Sequence, residues 1–350
     1  MVKFDLNEFD GKTILVTGGT GSIGSEIVKR LFRNTKAKSI RVYSRDEFKQ
    51  FNMQHELKND EHRLRFLVGD VRDKDRLNMA MEGVDIVFHA AALKHVPSCE
   101  FNPFEAIKTN VLGAQNVVET ALANDVEKVI AISTDKAVNP VNTMGATKLL
   151  AEKLIISANY YKGDKPTKFS CVRFGNVLAS RGSVVPLFIE QIKKGGPVTL
   201  TDEHMTRFIM SARDAVDLIF KSSSVAVGGE VFILKMPVVK VKDLLEVLIE
   251  EVSPENASLE IKTIGARAGE KMYEELMTGE EAAISYELDD LFVIPAINSL
   301  EVVPSIYSEI TSYIKSLGGS KCTLKRYSSE DSAPVSKEEI KKILKSEEII

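Results

Sequence analysis

Thr13-Ile14-Leu15-Val16-Thr17-Gly18-Gly19-Thr20-Gly21-Ser22-Ile23-Gly24 is the stretch that decides the fold. A β-branched run passes directly into glycines and then into the helical pattern Ser25 to Phe32. Glycine lets the backbone turn tightly and approach a pyrophosphate, which rests on the free amides and positive dipole end of the helix that follows. A glycine-rich loop alone is a weak signal, but between a strand and a helix it marks a dinucleotide site. Gly18, Thr20, Gly21, Ser22, Ile23 and Gly24 are therefore the expected cradle.

Outward from that loop, short apolar runs at Ile40–Ser44, Leu64–Gly69, Ile86–Ala90, Val129–Ser133 and Phe169–Phe174 alternate with helix-length spacers. This alternation predicts an α/β fold, a Rossmann-type doubly wound parallel sheet, with a smaller α/β substrate-binding lobe. The nucleotide-binding domain is expected over 1–175, with some later segments returning to it, the substrate lobe over 176–317, and a polar C-terminal extension over 318–350. Helices are expected at Val184–Lys194, Arg213–Ser222 and Lys242–Glu251, and a strand at Val231–Leu234. In the extension, Ser328–Pro334 reads as a loop, and a charged helix, Ser336–Ser346, opens on the capping box Ser336 to Glu339.

Composition narrows the function. A net charge of -4 with both signs interspersed lacks the basic field that nucleic acid requires, so small molecules are the expected partners. Apolar runs are too short for a membrane span, and the polar, acidic segment Met1 to Asp10 does not read as a secretory signal. The cytoplasm is the expected compartment. Cys99, Cys171 and Cys322 are scattered and odd in number, fitting reduced thiols rather than disulfides, and no metal site is expected.

The end of the second strand selects the dinucleotide, because an acid there binds a ribose hydroxyl whereas an arginine accommodates a 2'-phosphate. The chain has Ser44-Arg45-Asp46, which favours NADP over NAD, although Asp46 could instead pair with Arg45 on the surface. Asp70, after the third strand, is either an adenine contact or the cap of the next helix.

Thr134-Asp135-Lys136-Ala137 and Met144-Gly145-Ala146-Thr147-Lys148 carry the strongest resemblance. With Ala90-Ala91-Ala92-Leu93-Lys94-His95-Val96-Pro97, Arg173-Phe174-Gly175-Asn176, Ser180-Arg181-Gly182, Met205-Thr206-Arg207-Phe208 and Arg267-Ala268-Gly269-Glu270-Lys271, the chain resembles the UDP-N-acetylglucosamine 4,6-dehydratases. These belong to the extended short-chain dehydrogenases/reductases. The likeness spans about residues 10 to 300. Two positions depart from it: Met144 stands where a Tyr-x-x-x-Lys pair has its acid/base phenol, and Ala268 where proline is usual.

The resemblance implies a cytoplasmic lyase of polysaccharide biosynthesis, a homo-oligomer (dimer or hexamer) acting on UDP-N-acetylglucosamine with NADP, and inverting C5. The helical stretches Phe104–Ala123 and Met144–Tyr161 are the expected contacts between copies. A thioether cannot exchange a proton, so the chemistry passes to Asp135 and Lys136. Lys136 is read as the base at C5 and Asp135 as the acid at C6, which requires a lowered lysine pKa and a raised carboxyl pKa. Lys148 is expected to hold the nicotinamide ribose, and Val71 and Ala90 to Ala92 to line the cofactor. The acceptor of the C4 hydroxyl proton stays open among Lys136, Asp135 and a water held by Thr134. Lys94, Asn176, Arg181, Arg207, Arg267 and Glu270 are the expected sugar-nucleotide contacts. Three other readings remain open: a configuration-retaining dehydratase, a nucleotide-sugar 4-epimerase, and an NADP-binding scaffold with a decayed site.

Overall fold

The computed structural model describes residues 5–58, 63–180, 182–253, 259–266, 269–295 and 304–350. Its frame is a parallel array of β1 (Thr13–Thr17), β2 (Ser39–Ser44), β3 (Leu64–Val68), β4 (Ile86–His89), β5 (Lys128–Ile132) and β6 (Lys168–Arg173), in the spatial order β3-β2-β1-β4-β5-β6. Ile14, Leu15 and Val16 of β1 are completely buried, each such side chain contributing roughly 1.5–3 kcal/mol. β1 pairs in parallel with both β2 and β4, so the strand order reverses beside it. In a doubly wound sheet that reversal opens a crevice at the strands' carboxyl ends, where ligands bind.

The expected strands at Ile86–Ala90 and Leu64–Gly69 end one residue earlier, and those at Val129–Ser133 and Phe169–Phe174 each begin one residue earlier and end one residue earlier. The terminal residues leave the ladder and line the crevice instead.

Beyond β6 come β7 (Asn176–Val177), β8 (Val198–Leu200) and β9 (Thr206–Met210), followed by β10 (Val231–Leu234), β11 (Val238–Lys240), β12 (Ile261–Thr263) and β13 (Glu275–Met277). β14 (Tyr286–Glu287), β15 (Leu291–Ile294), β16 (Ser320–Lys321) and β17 (Tyr327–Ser328) complete the strands used below. β10 lies parallel to β6, and β15, β14 and β16 follow it antiparallel, so among the described residues one ten-stranded sheet runs through both halves of the sequence.

A second apolar core gathers Val185, Phe188, Ile209, Leu244, Leu245 and Leu248. The C-terminal helix Lys337–Ser346 adds Ile340 and Leu344 to it, and Ser336 and Glu339 form both bonds of the capping box. Lys337 pairs with Glu246 at 2.5 Å and Lys341 with Glu251, fixing this helix to Val241–Val252. The residues expected as a loop from Ser328 begin in a strand, because β17 pairs with β13. Tyr327 packs on Phe208 and Phe292 at centroid distances of 4.7 and 5.0 Å.

Candidate functional site

A cavity of about 600 Å³ opens at the carboxyl ends of β1, β2, β4 and β5, within the size range of small-molecule sites. The glycine loop forms one wall. Gly18 has φ +66°, and a Cβ there would sit 2.7 Å from the Ala91 amide nitrogen; a Cβ on Gly24 would sit 2.3 Å from the Gly18 carbonyl oxygen. Gly21, preceding the helix Ser22–Asn34, contributes no capping side chain. Thr20, Ser22, Ile23, Val71, Ala90, Ala91 and Ala92 line the same space. The cradle thus fits a dinucleotide pyrophosphate.

At the β2 end, Ser44 is buried and its hydroxyl accepts from Gln50 Nε2 at 3.0 Å. Asp46 does not pair with Arg45. It caps the helix Glu47–Glu56 by accepting from the Lys49 amide at 3.0 Å and binds Lys49 Nζ at 2.6 Å. Arg45 turns to Asp70, with 3.6 Å between Nη1 and Oδ2, and stays half exposed along the cavity. Burial pushes the Asp70 carboxyl up, but bonds from Arg72 and the Arg45 charge outweigh it and hold the carboxyl below its ordinary value. The helix Lys74–Met81 is capped by Asp73 rather than Asp70.

At the other end, Thr134, Asp135 and Lys136 form a short turn after β5. Lys148 donates to the Ile132 carbonyl at 2.6 Å, and burial lowers its pKa. Met144, 3% exposed, packs with Cys99 and Ala106, with Leu93 and Val96 against them. The chain around 103–123 runs as one helical stretch whose middle, Ile107–Leu112, is a π-helix. Thr109 sits there, its buried Oγ1 without a hydrogen-bond partner beside the cavity.

The charged centre differs from the sequence expectation. Lys136 Nζ lies 3.1 Å from both Asp135 oxygens and 2.9 Å from Glu274 Oε1. Burial works against the ammonium, but attraction to Asp135 and Glu274 prevails and the Lys136 pKa rises rather than falls. Burial also works to raise Asp135, yet Lys136 and bonds from Glu274 and Thr134 lower it, whereas a raised carboxyl was expected. The raised carboxyl is Glu274, pushed up to about 7 by burial and by Asp135.

Asn176 Nδ2 donates to Glu274 Oε2 at 2.7 Å, and Arg207 Nε stands 3.4 Å from Oε1. Glu274 was not singled out in the sequence. A signal existed, since a Glu-Glu pair directly before the apolar Leu276-Met277 is unusual in a buried strand.

A second cavity of about 320 Å³ joins the first through Asp135, Lys136, Asn176 and Ser183. Arg207, Glu270 and Lys271 line it, with Met205 at its wall. Lys94 lines the first cavity, its ammonium disfavoured by burial and by Lys136. Arg181 and Arg267 lie outside the described residues, as does Ala268.

Strand order, glycine cradle and the Lys136 and Lys148 positions define an extended short-chain dehydrogenase/reductase. More narrowly, the chain belongs to the polysaccharide biosynthesis protein family, whose model matches residues 14–296. A Methanocaldococcus jannaschii relative named as an uncharacterised membrane protein is 57% identical over 343 residues, covering 97% of each chain. No helix among the described residues of the present chain is long and apolar enough to cross a membrane.

The UDP-N-acetylglucosamine 4,6-dehydratase (inverting) of Campylobacter jejuni is 47% identical over 82% of this chain and 83% of its own. A Rickettsia conorii relative of the same identity, over 82% and 84%, is named UDP-glucose 4-epimerase. The crystal structure of Pen from Bacillus thuringiensis superposes with a TM-score of 0.88 at 44% identity, over 98% of this chain and 99% of Pen.

Proposed function

We propose that the protein is an NADP-dependent UDP-N-acetylglucosamine 4,6-dehydratase that inverts C5. The observation carrying this reading is Lys136 held between two carboxylates where the two cavities join. Loss of water across C5 and C6 needs a base and an acid on neighbouring atoms, which such a cluster can provide. When bound, the nicotinamide would supply reversible hydride exchange with the sugar. Gly18 to Gly24 would hold the pyrophosphate, Arg45 and Ser44 the 2'-phosphate, and Lys148 the nicotinamide ribose.

Lys136 serves as base at C5 and Asp135 delivers a proton to the C6 oxygen. Asn176, Arg207 and Glu270 line the neighbouring cavity as sugar-nucleotide contacts, the Arg207 fork suiting a diphosphate. A second copy would cover Phe104, Leu112 and Leu150, apolar side chains that are half exposed or more on the helical stretches 103–123 and 143–161.

The name of the Rickettsia relative supports a second reading, 4-epimerisation of a UDP-hexose. Proton NMR of the protein with UDP-N-acetylglucosamine and NADP in heavy water separates the two. A 6-methyl signal with deuterium at C5 is expected, and ring couplings report the configuration. Appearance of a galacto-configured product without a methyl signal moves the assignment to the epimerase, and unchanged substrate with bound cofactor sinks the dehydratase reading.

A further inference from the structure

We infer that Glu274 is a positioning residue of the proton relay, taking the proton that Lys136 must give up and passing it through Asp135 to the departing hydroxyl. This rests on the dehydratase reading above and assigns a role to a residue outside the motifs that suggested it. Glu274 lines the second cavity and is otherwise surrounded by polar partners. Glu274 is 5% exposed, its Oε1 is 2.9 Å from Lys136 Nζ and 3.4 Å from Arg207 Nε, and its Oε2 accepts from Asn176 at 2.7 Å. Asp135, 2% exposed, is hydrogen-bonded to it. Of two carboxyl groups in contact, each disfavours ionisation of the other, so this pair takes up a proton more readily than an isolated carboxylate.

The charged groups around Glu274 are Asp135 and Lys136 from the turn after β5, Arg207 from β9, and Lys271 and Glu275 from its own segment. Lys271 is directed to the Val138 carbonyl at 2.7 Å, and Glu275 accepts from Asn139 at 2.6 Å. Neither is bonded to the Glu274 carboxyl. Its backbone is fixed from a third side, because its amide donates to Ser329 Oγ at 2.9 Å and its carbonyl accepts from the Ser329 amide at 2.8 Å.

The need for such a residue follows from the charges. An ammonium between two carboxylates cannot take a proton from C5 until it has lost one of its own. With one proton shared between Lys136 and Glu274, transfer across 2.9 Å leaves a neutral amine and a neutral carboxylic acid. The amine lone pair then takes the C5 proton. The electrons of that bond form the C5–C6 double bond, and the C6–O bond breaks. The Glu274 proton passes to the Asp135 carboxylate and from it to the departing C6 oxygen, which leaves as water. Lys136 ends as ammonium and both carboxylates as anions, so atoms and charge balance. The state carrying one more proton has no vacancy on Glu274 and is inactive, so activity rises as that proton is lost.

The test is the pH profile of kcat and KM for wild type, Glu274→Gln and Glu274→Asp, with C5 deuteration followed by NMR. Wild type is expected to show a rising limb near neutral pH. E274Q is expected to lose that limb, with kcat down about 100-fold or more, KM little changed and C5 exchange suppressed. E274D, which keeps an ionisable group but moves it back by one methylene, should retain the limb at reduced kcat.

E274Q with the wild-type limb and kcat overturns the inference, as does E274D indistinguishable from wild type should E274Q fail to fold. If wild type turns over no sugar nucleotide, the dehydratase reading fails on its own. The shared proton is still read by infrared spectroscopy, as a protonated-carboxyl band at neutral pH that disappears in both E274Q and D135N. Absence of that band in wild type likewise overturns the inference.

Discussion

Lys136 and Glu274 are 138 positions apart in sequence, yet Nζ and Oε1 approach to 2.9 Å inside a cluster that also holds Asp135. Removing the cation leaves two buried carboxylates facing each other. Lys136→Met is therefore expected to lose about 3 kcal/mol of stability together with dehydration activity. Chemical denaturation and the NMR assay measure the two losses, and a fully stable K136M would show that the cluster is not ionised as described.

Met144 packs with Cys99 and Ala106 on one side and lines the larger cavity on the other, and it fills space rather than moving protons. Met144→Leu, which conserves volume, should cost less than about 1.5 kcal/mol, whereas the bulkier Met144→Tyr should cost about 1–3 kcal/mol. If restoring the phenol instead stabilised the protein, the packing around residue 144 would be looser than described. Thermal unfolding of both variants decides this.

Arg45 is free of Asp46, whose carboxylate caps the next helix, and it borders the cavity beside Ser44. Arg45→Ala should raise the Kd for NADP by about 10- to 100-fold, the value of a lost charged hydrogen bond or two, while NAD binding changes little. Calorimetric titration with each dinucleotide reads the difference. Equal losses for both would remove Arg45 from the 2'-phosphate.

His89, buried at the end of β4, bonds Thr17 Oγ1 at 2.8 Å, and burial, aided by Lys148, lowers its pKa to about 3. The unfolded chain binds this proton near pH 6.5 and the folded one does not. The stability gained by keeping the ring neutral is thus complete above that value and is lost as pH falls towards 3. Between pH 7 and 5 the loss should be about 2 kcal/mol. Urea unfolding of wild type against His89→Gln isolates it, since the variant should lack this slope.

Ser329 Oγ contacts the Glu274 amide at 2.9 Å and Thr206 Oγ1 at 2.9 Å while fully buried. Ser329→Ala orphans the amide and should cost about 1–3 kcal/mol, readable as a lowered Tm.

The glycine cradle, the strand alternation and the Ser336 capping box were legible in the sequence because each is a local matter of backbone freedom, period or reach. Asp135 and Lys136 could be brought to the crevice by reasoning from the strand end, and Lys148 by the spacing from Met144 that the resemblance supplies. The charge state was not legible. As a dipeptide, Asp135-Lys136 suggests two groups tuned in opposite directions, but attraction to Asp135 itself, joined by Glu274 arriving from β13's edge, raises the lysine instead. Arg45 was ambiguous for a similar reason, because its partner Asp70 comes from the neighbouring strand's end rather than from the adjacent position.

Residues 327–344 reach back towards the candidate site, with β17 pairing to β13, Ser329 bonding Glu274 and Leu344 entering the second core. Synthesis proceeds from the N-terminus, so the nucleotide crevice has its strands β1 to β6 in hand long before this tail leaves the ribosome. A nascent chain can thus form the crevice while the Asp135–Lys136–Glu274 cluster beside it is still unassembled. The charged cluster is completed after the crevice, not with it.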